Sequence, residues 1–145
     1  AKIAGYMHDI GNVINRTDHS QSGAVMALRI LDNMGMDPKE IASIISAIGN
    51  HDEGTGVPVS PLAAALILAD KSDVRRNRVR PKPKAHFDVH DRVNYAVTKT
   101  ELIVDSDKKQ ITLNLEIDES ICTMYEYFDI FLKTHKCTKN LISFA

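Results

Sequence analysis

The imidazoles and the apolar-flanked acids of this chain fall in a few short motifs. His8 and Asp9 are adjacent in MHDIGN, His19 lies in DHSQSGA, His51 follows AIGN, and Asp70 closes the apolar run LILAD. Imidazole and carboxylate together form a donor set that suits first-row divalent ions such as iron, manganese, zinc, cobalt or nickel. Asp70 comes directly after Leu66, Ile67, Leu68 and Ala69. A carboxylate carried into apolar surroundings needs a cationic partner or a metal. Each residue taken singly also has a plainer explanation. A histidine at a helix end can serve as a cap or complement the helix dipole, and Asp70 can pair with Lys71, Arg75 or Arg76.

The elements that position these residues are mostly helical. The opening stretch AKIAGYM reads as the end of a helix that stops near Gly11. Asp18 is placed to cap a second helix, with Val25, Leu28 and Leu31 at helical spacing and Gly35 as its stop. Asp37-Pro38-Lys39-Glu40 combines a cap acid, a first-turn proline and a glutamate, and predicts a helix that buries Ile41, Ile44, Ile45 and Ile48. Ser60-Pro61 repeats the signal before PLAAALILADKSDVRR, which is apolar nearly all round up to Asp70 and is expected to be central. His8, Asp9, His19 and His51 thus fall at helix ends and Asp70 on a buried helix. The ends of packed helices can bring ligands from four elements to one point.

Beyond Arg80 the character changes. Pro81 and Pro83 break the helix, while Lys82 and Lys84 keep the segment solvated. Asp88 can cap a short helix carrying Val89, Val93 and Val97. ELIVDSDKKQITLNLEI predicts a β-hairpin turning at Ser106–Lys109, and Asp118 is placed to cap a last amphipathic helix with Ile121, Met124, Tyr125, Phe128 and Leu132. The expected architecture is mainly α. Residues 1-97 form a helical metal-binding domain whose bundle covers 1-80, and 98-145 form a small α+β appendage.

The bulk figures exclude several function classes. With 145 residues and 43% hydrophobic content, the chain can build one core of real size and not two large ones. A net charge of -1 argues against an extended nucleic-acid surface. No apolar run approaches bilayer-spanning length and no signal peptide is visible, so a cytoplasmic protein is expected. Cys122 and Cys137 match no zinc spacing and are expected to be reduced thiols.

The ordered pattern is more specific than its parts. MHDIGN, DHSQSGA, AIGNHDEGTG and LILADKSDVRR together resemble the HD superfamily of metal-dependent phosphohydrolases. The resemblance covers 1-80 and is closest to the bacterial branch with extra histidines and a two-metal centre, which includes dinucleoside polyphosphate hydrolases. It implies an HD-type helical bundle with His8 and Asp9 as the signature pair and Asp9 bridging one or two ions, iron or manganese first among them. Asp70 would be the distal ligand of the first ion, and His19 and His51 would complete the second. The family pattern also has a histidine on a helix before the HD pair. Seven residues precede His8 and none is a histidine. Ala1 is not a methionine, so the expectation is a fragment whose missing ligand lies upstream.

The resemblance implies hydrolysis of a nucleotide or another small phosphate ester by a metal-activated water, with Asp9 orienting the nucleophile. Lys71, Arg75 and Arg76 are candidates to neutralise phosphoryl charge, against a solvated helix terminus as the alternative. Asp73 is a candidate catalytic residue, acting as a partner to a ligand or to Lys71, or else simply paired with Arg76. Asp52 and Glu53 can reach a metal-bound water or be ordinary acids of a loop that Gly54 and Gly56 make flexible. Asn12 and Asn15 follow the HD pair; His86 and His90 lie outside the pattern. Two other functions are compatible. One is a cyclic-nucleotide phosphodiesterase, for which GTGVP has a related glycine-rich loop but Val57 in place of the expected aromatic. The other is a regulatory nucleotide-binding module without turnover. The appendage is a candidate homodimer interface.

Overall fold

A computed structural model of the chain describes residues 1–52, 56–81, 83 and 86–134. Glu53, Gly54, Lys82, Lys84 and Cys137, together with the side chain of Leu132, lie outside the described residues. Among the described residues there are six α-helices, two short 3-10 turns and one two-stranded antiparallel sheet, a mainly helical fold with a small β element. No helix among them is long and apolar enough to cross a membrane. The chain separates into two compact units, Ala1–Asp70 and Lys71–Ala145.

The first unit contains α1 (Lys2–Met7), a 3-10 turn (Ile10–Val13), α2 (His19–Asn33), α3 (Pro38–Gly49) and most of α4 (Pro61–Ser72). Its core gathers Ala4 and Met7 of α1, Ala27 and Leu31 of α2, Ile41, Ile44, Ala47 and Ile48 of α3, and Ala63 and Leu66 of α4. Each isoleucine withdrawn from water there contributes roughly 1.5–3 kcal/mol. The start signals of α3 and α4 act as the sequence predicts. Asp37 accepts hydrogen bonds from the amides of Lys39 (2.9 Å) and Glu40 (3.3 Å), and Ser60 Oγ accepts one from Ala63 (3.1 Å).

Four expectations for this unit need correction. The helix at the start ends at Met7, and the chain passes Gly11 in the 3-10 turn. In α2 the buried face is Ser20, Gly23, Ala27 and Leu31, while Val25 is 67% and Leu28 43% exposed. Small residues win that face because α2 comes very close to the turn after His8, where a Cβ on Gly23 would lie 3.3 Å from both Gly11 N and His8 O. Asp18 stands at the N-cap position of α2 but its side chain caps nothing; its carbonyl receives the amides of Gln21 (3.1 Å) and Ser22 (3.0 Å). Helix α4 is also one-sided rather than wrapped. Ala63, Leu66 and Ile67 are buried, and Ala65 and Ala69 are exposed.

The second unit contains a 3-10 turn (Arg76–Arg78), α5 (Val89–Ala96), β1 (Val97–Asp105), β2 (Gln110–Ile117) and α6 (Met124–Thr134). Asp88 and Asp91 form a reciprocal capping box on α5. The strands pair from Val97↔Ile117 to Asp105↔Gln110, with an irregularity between Val97 and Lys99. Val74, Val93, Ala96, Val97, Cys122 and Tyr127 form the core, flanked by Leu115, Ile117, Ile121 and Phe128. Val93 and Ala96 of α5 thus share one core with Val97, Cys122 and Tyr127. The cap of α6 is not Asp118, whose carboxylate receives Ser120 (amide 3.1 Å, hydroxyl 2.6 Å). Thr123 and Glu126 fill that role, with Glu126 accepting from the Thr123 amide at 2.9 Å and Thr123 Oγ1 accepting from the Glu126 amide at 3.3 Å. Accordingly Met124 and Tyr125 are exposed and Tyr127 is buried.

Candidate metal centre

His8 and Asp9 sit in the corner between α1 and the first 3-10 turn, His19 opens α2, His51 follows α3, and Asp70 lies in the last turn of α4. The packing of α2 against that corner depends on Gly11. A Cβ there would collide with the His19 carbonyl oxygen, with Ser22 Oγ and with the Gly23 amide. Gln21 Nε2 donates to the Gly49 carbonyl at 2.7 Å, tying α2 to the end of α3 just before His51. The Gly56 amide donates to the Asp52 carbonyl at 2.7 Å, and a Cβ on Gly56 would strike the carbonyls of Asn50 and Asp52.

All three imidazoles are anchored in the same way. Nδ1 of His8 faces the Gly5 carbonyl at 2.8 Å, Nδ1 of His19 the Arg16 carbonyl at 2.9 Å, and Nδ1 of His51 the Ile48 carbonyl at 2.6 Å. A carbonyl oxygen only accepts, so each Nδ1 carries the hydrogen, and each neutral ring presents a lone pair at Nε2. Such second-side hydrogen bonds orient metal-binding histidines and fix their tautomer.

The Nε2 atoms converge with the acids. His8 Nε2 lies 3.4 Å from Asp70 Oδ1 and 3.7 Å from Asp9 Oδ2. His19 Nε2 lies 3.2 Å from Asp9 Oδ1 and 3.9 Å from Asp52 Oδ1, and His51 Nε2 lies 3.8 Å from Asp9 Oδ1. His19 Nε2 and His51 Nε2 stand 3.3 Å apart with both side chains almost completely buried. Two lone pairs meeting at that distance out of water repel unless a proton or a cation lies between them. The donors form two groups that can each hold an ion, His8–His51–Asp70 and Asp9–His19–His51, with ligand atoms in each within 4.8 Å of one another. The nitrogen and oxygen donor set fits a first-row divalent ion.

The electrostatics follow from this crowding. The Asp70 carboxylate holds the His8 imidazolium and, with the Gly5 carbonyl and Asp9, raises its pKa above the ordinary value despite partial burial. His51, aided by His8 and His19, pulls the Asp9 carboxyl down to about 2, against desolvation and the charge of Asp70.

The five metal-site residues expected from sequence therefore come together, and Asp52 stands beside them. The other expected residues lie in the second unit or apart. Asp73 pairs with Arg75 (2.7 Å) and Arg78 (3.6 Å) rather than with Arg76. Arg76 donates through Nε to the Tyr95 carbonyl at 2.7 Å, lies over the Tyr95 ring and pairs with Asp118 at 3.6 Å. Lys71 is on the last turn of α4. His86 and His90 belong to neither donor group; Asn15 Oδ1 accepts from the Thr17 amide at 3.0 Å. Sequence reasoning missed Gly11, Gly23 and Gln21 as positioning residues. The available signal was a glycine within a few residues of His8 and of His19.

Fold and site together define a mainly helical protein with a His/Asp cluster able to hold divalent cations. No family model matches the chain, and no solved structure matches it. The chain is similar to an uncharacterized protein of Methanocaldococcus jannaschii, at 30% identity over an alignment 122 residues long that covers 78% of this chain and 46% of that protein. It spans about half the length of this curated relative.

Proposed function

We propose that the chain is the metal-binding part of an HD-superfamily phosphohydrolase that acts on a nucleotide or another small phosphate ester. The observation that carries this proposal is the convergence of three Nδ1-anchored imidazoles on Asp9 and Asp70, in the order HD, His, His, Asp along the chain. His8, Asp9, His19, His51 and Asp70 would hold one or two ions, iron or manganese first among the candidates. Bound there, such an ion supplies Lewis acidity toward phosphate oxygens and a water of lowered pKa.

The chain's own residues have definite parts in this. Asp9 stays ionised down to about pH 2, so at neutral pH it is a carboxylate with one oxygen toward His8 and the other toward His19 and His51. With the ions bound, it would be one of the residues that hold them and would orient an attacking water. Gly5, Arg16 and Ile48 hold the rings through their carbonyls, so the donors need little reorganisation to bind. Purified protein should contain a first-row transition metal, or take one up, and should hydrolyse a generic phosphodiester or a nucleotide. Asp9→Asn should abolish both, while His90→Ala should leave both unchanged. Elemental analysis combined with a phosphate-release assay decides it. A chain that takes up no metal overturns the proposal, and full turnover by Asp9→Asn does so too.

A further inference from the structure

We infer that the hairpin of the second unit joins two copies of this chain, the outer edge of β1 pairing antiparallel with the same edge of its copy across a two-fold axis at Leu102. The contact involves no residue of the His/Asp cluster and is independent of metal and of hydrolysis.

The hairpin has an apolar face that its own unit covers only in part. Side chains of a strand alternate between faces, and residues directly opposite on paired strands share one. The pairs Thr100↔Leu115, Leu102↔Leu113 and Val104↔Ile111 therefore line a single face. Leu115 packs against the core of the second unit, but further out Leu102 is 37% and Val104 63% exposed, and Ile103 on the opposite face is 44% exposed. Among the described residues β1 pairs with β2 and with no other strand. Its outer edge thus has three consecutive exposed apolar side chains beside a backbone that no further strand covers. Proteins that keep such an edge single block it with a proline, a bulge or a charge. From Leu102 to Val104 β1 has none of these, and its one irregularity falls earlier, between Val97 and Lys99.

Charge selects a second copy as the occupant and fixes the register. When identical antiparallel strands are related by a two-fold axis normal to the sheet, one residue faces itself across that axis. The regular stretch from Lys99 to Asp105 has Leu102 at its midpoint. Pairing about Leu102 sets Lys99 opposite Asp105 at both ends, Thr100 opposite Val104 and Glu101 opposite Ile103. Moving the axis by one residue sets like charges opposite, either Glu101 against itself or Glu101 against Asp105, and such pairs are destabilising. Existing partners do not stand in the way. Lys99 meets Glu116 at 3.4 Å and Asp105 Oδ2 meets Lys108 at 3.2 Å, but Lys99, Glu116 and Lys108 are all strongly exposed, and ion pairs of that kind contribute little. The pairing also brings the outer part of each apolar face beside the inner part of the other, Val104 next to Thr100. It turns two hairpins, each marginal alone, into one four-stranded sheet. Because both copies use the same edge, the contact closes at two chains.

The test is sedimentation velocity of the whole chain over a wide range of concentration. A reversible monomer–dimer equilibrium is expected. Leu102→Glu, which places two carboxylates face to face at the axis, should leave monomer throughout. Lys99→Glu should weaken the dimer about tenfold, through two like-charge contacts in place of two opposite ones, and adding Asp105→Lys to it should restore association. Glu101→Lys should not weaken the dimer, since Ile103 stands opposite. Circular dichroism verifies that each variant is folded. A parent chain that stays monomeric overturns the inference, and so does open-ended association. A dimer that survives Leu102→Glu overturns it as well, as does one that Lys99→Glu weakens and the double substitution fails to restore.

Discussion

Protons and metal compete for the same nitrogen atoms, and His8 is where that competition is easiest to see. Its pKa is raised above 6.5 by Asp70 first and by the Gly5 carbonyl and Asp9 after it. A raised folded value means that protonated His8 stabilises the metal-free fold fully below about pH 6.5, and that this contribution disappears as pH climbs through the folded value. Asp9 behaves in the opposite sense. Its carboxyl, ordinarily 3.8, is held at about 2, so its contribution is present above pH 4 and is lost as pH falls toward 2. Metal binding requires His8 without its proton, so affinity rises over the window in which proton-linked stability falls. Melting curves recorded with chelator and with saturating metal should therefore diverge as pH rises from 6 to 8.5. His8→Gln should flatten the chelated curve across that range. Parallel curves for the parent chain would show that His8 does not couple proton and metal.

At the scale of elements, the placement of α2 against the His8–Asp9 corner governs the site, and its cause is close approach rather than hydrophobic patterning. Gly11→Ala puts a methyl group into the His19 carbonyl and the Gly23 amide, neither of which can rotate away. The expected cost is about 3 kcal/mol, with His19 displaced from Asp9 and metal affinity reduced. Gly5→Ala is the natural comparison. It meets nothing within 4 Å, lies in α1 and is exposed, so it should stabilise by about 0.5–1 kcal/mol. Thermal melts and metal titrations of the two variants test this, and equal effects would dismiss the close-approach argument. The same contact shows why part of the fold was not legible in advance. Capping chemistry at Asp37, Ser60 and Asp88 and the turn of the hairpin at Ser106–Lys109 are local, and they are legible from neighbouring residues. The buried face of α2 is decided by a partner distant in sequence, which selects Gly23 and Ala27 over the more apolar Val25 and Leu28. The start of α6 was misread because Asp118 is a good cap in isolation, whereas Thr123 and Glu126 satisfy each other nearer the helix. The candidate site was legible because its residue types are rare and ordered along the chain. The tautomers were not, since they depend on carbonyls at Gly5, Arg16 and Ile48 whose directions only the folded turns define.

For the whole molecule, every donor atom of the two cation groups belongs to the first unit, while the second has a core of its own around Val93, Val97, Cys122 and Tyr127. A ligand that binds only the native state stabilises what it binds, by about 2.7 kcal/mol at a hundredfold excess over its dissociation constant. That energy acts on the openings that break the site, and regions that open independently keep their own protection. Hydrogen exchange with and without chelator should thus distinguish the units. Removing metal should speed exchange at the amides of Asn12, Gln21, Ser22 and His51, whose hydrogen bonds lie in or beside the turns carrying the ligands. The amides of β1 and β2 and that of Tyr127 should exchange at unchanged rates. If protection falls equally in both sets, the two units open as one cooperative block, and metal at the histidine cluster stabilises the entire chain.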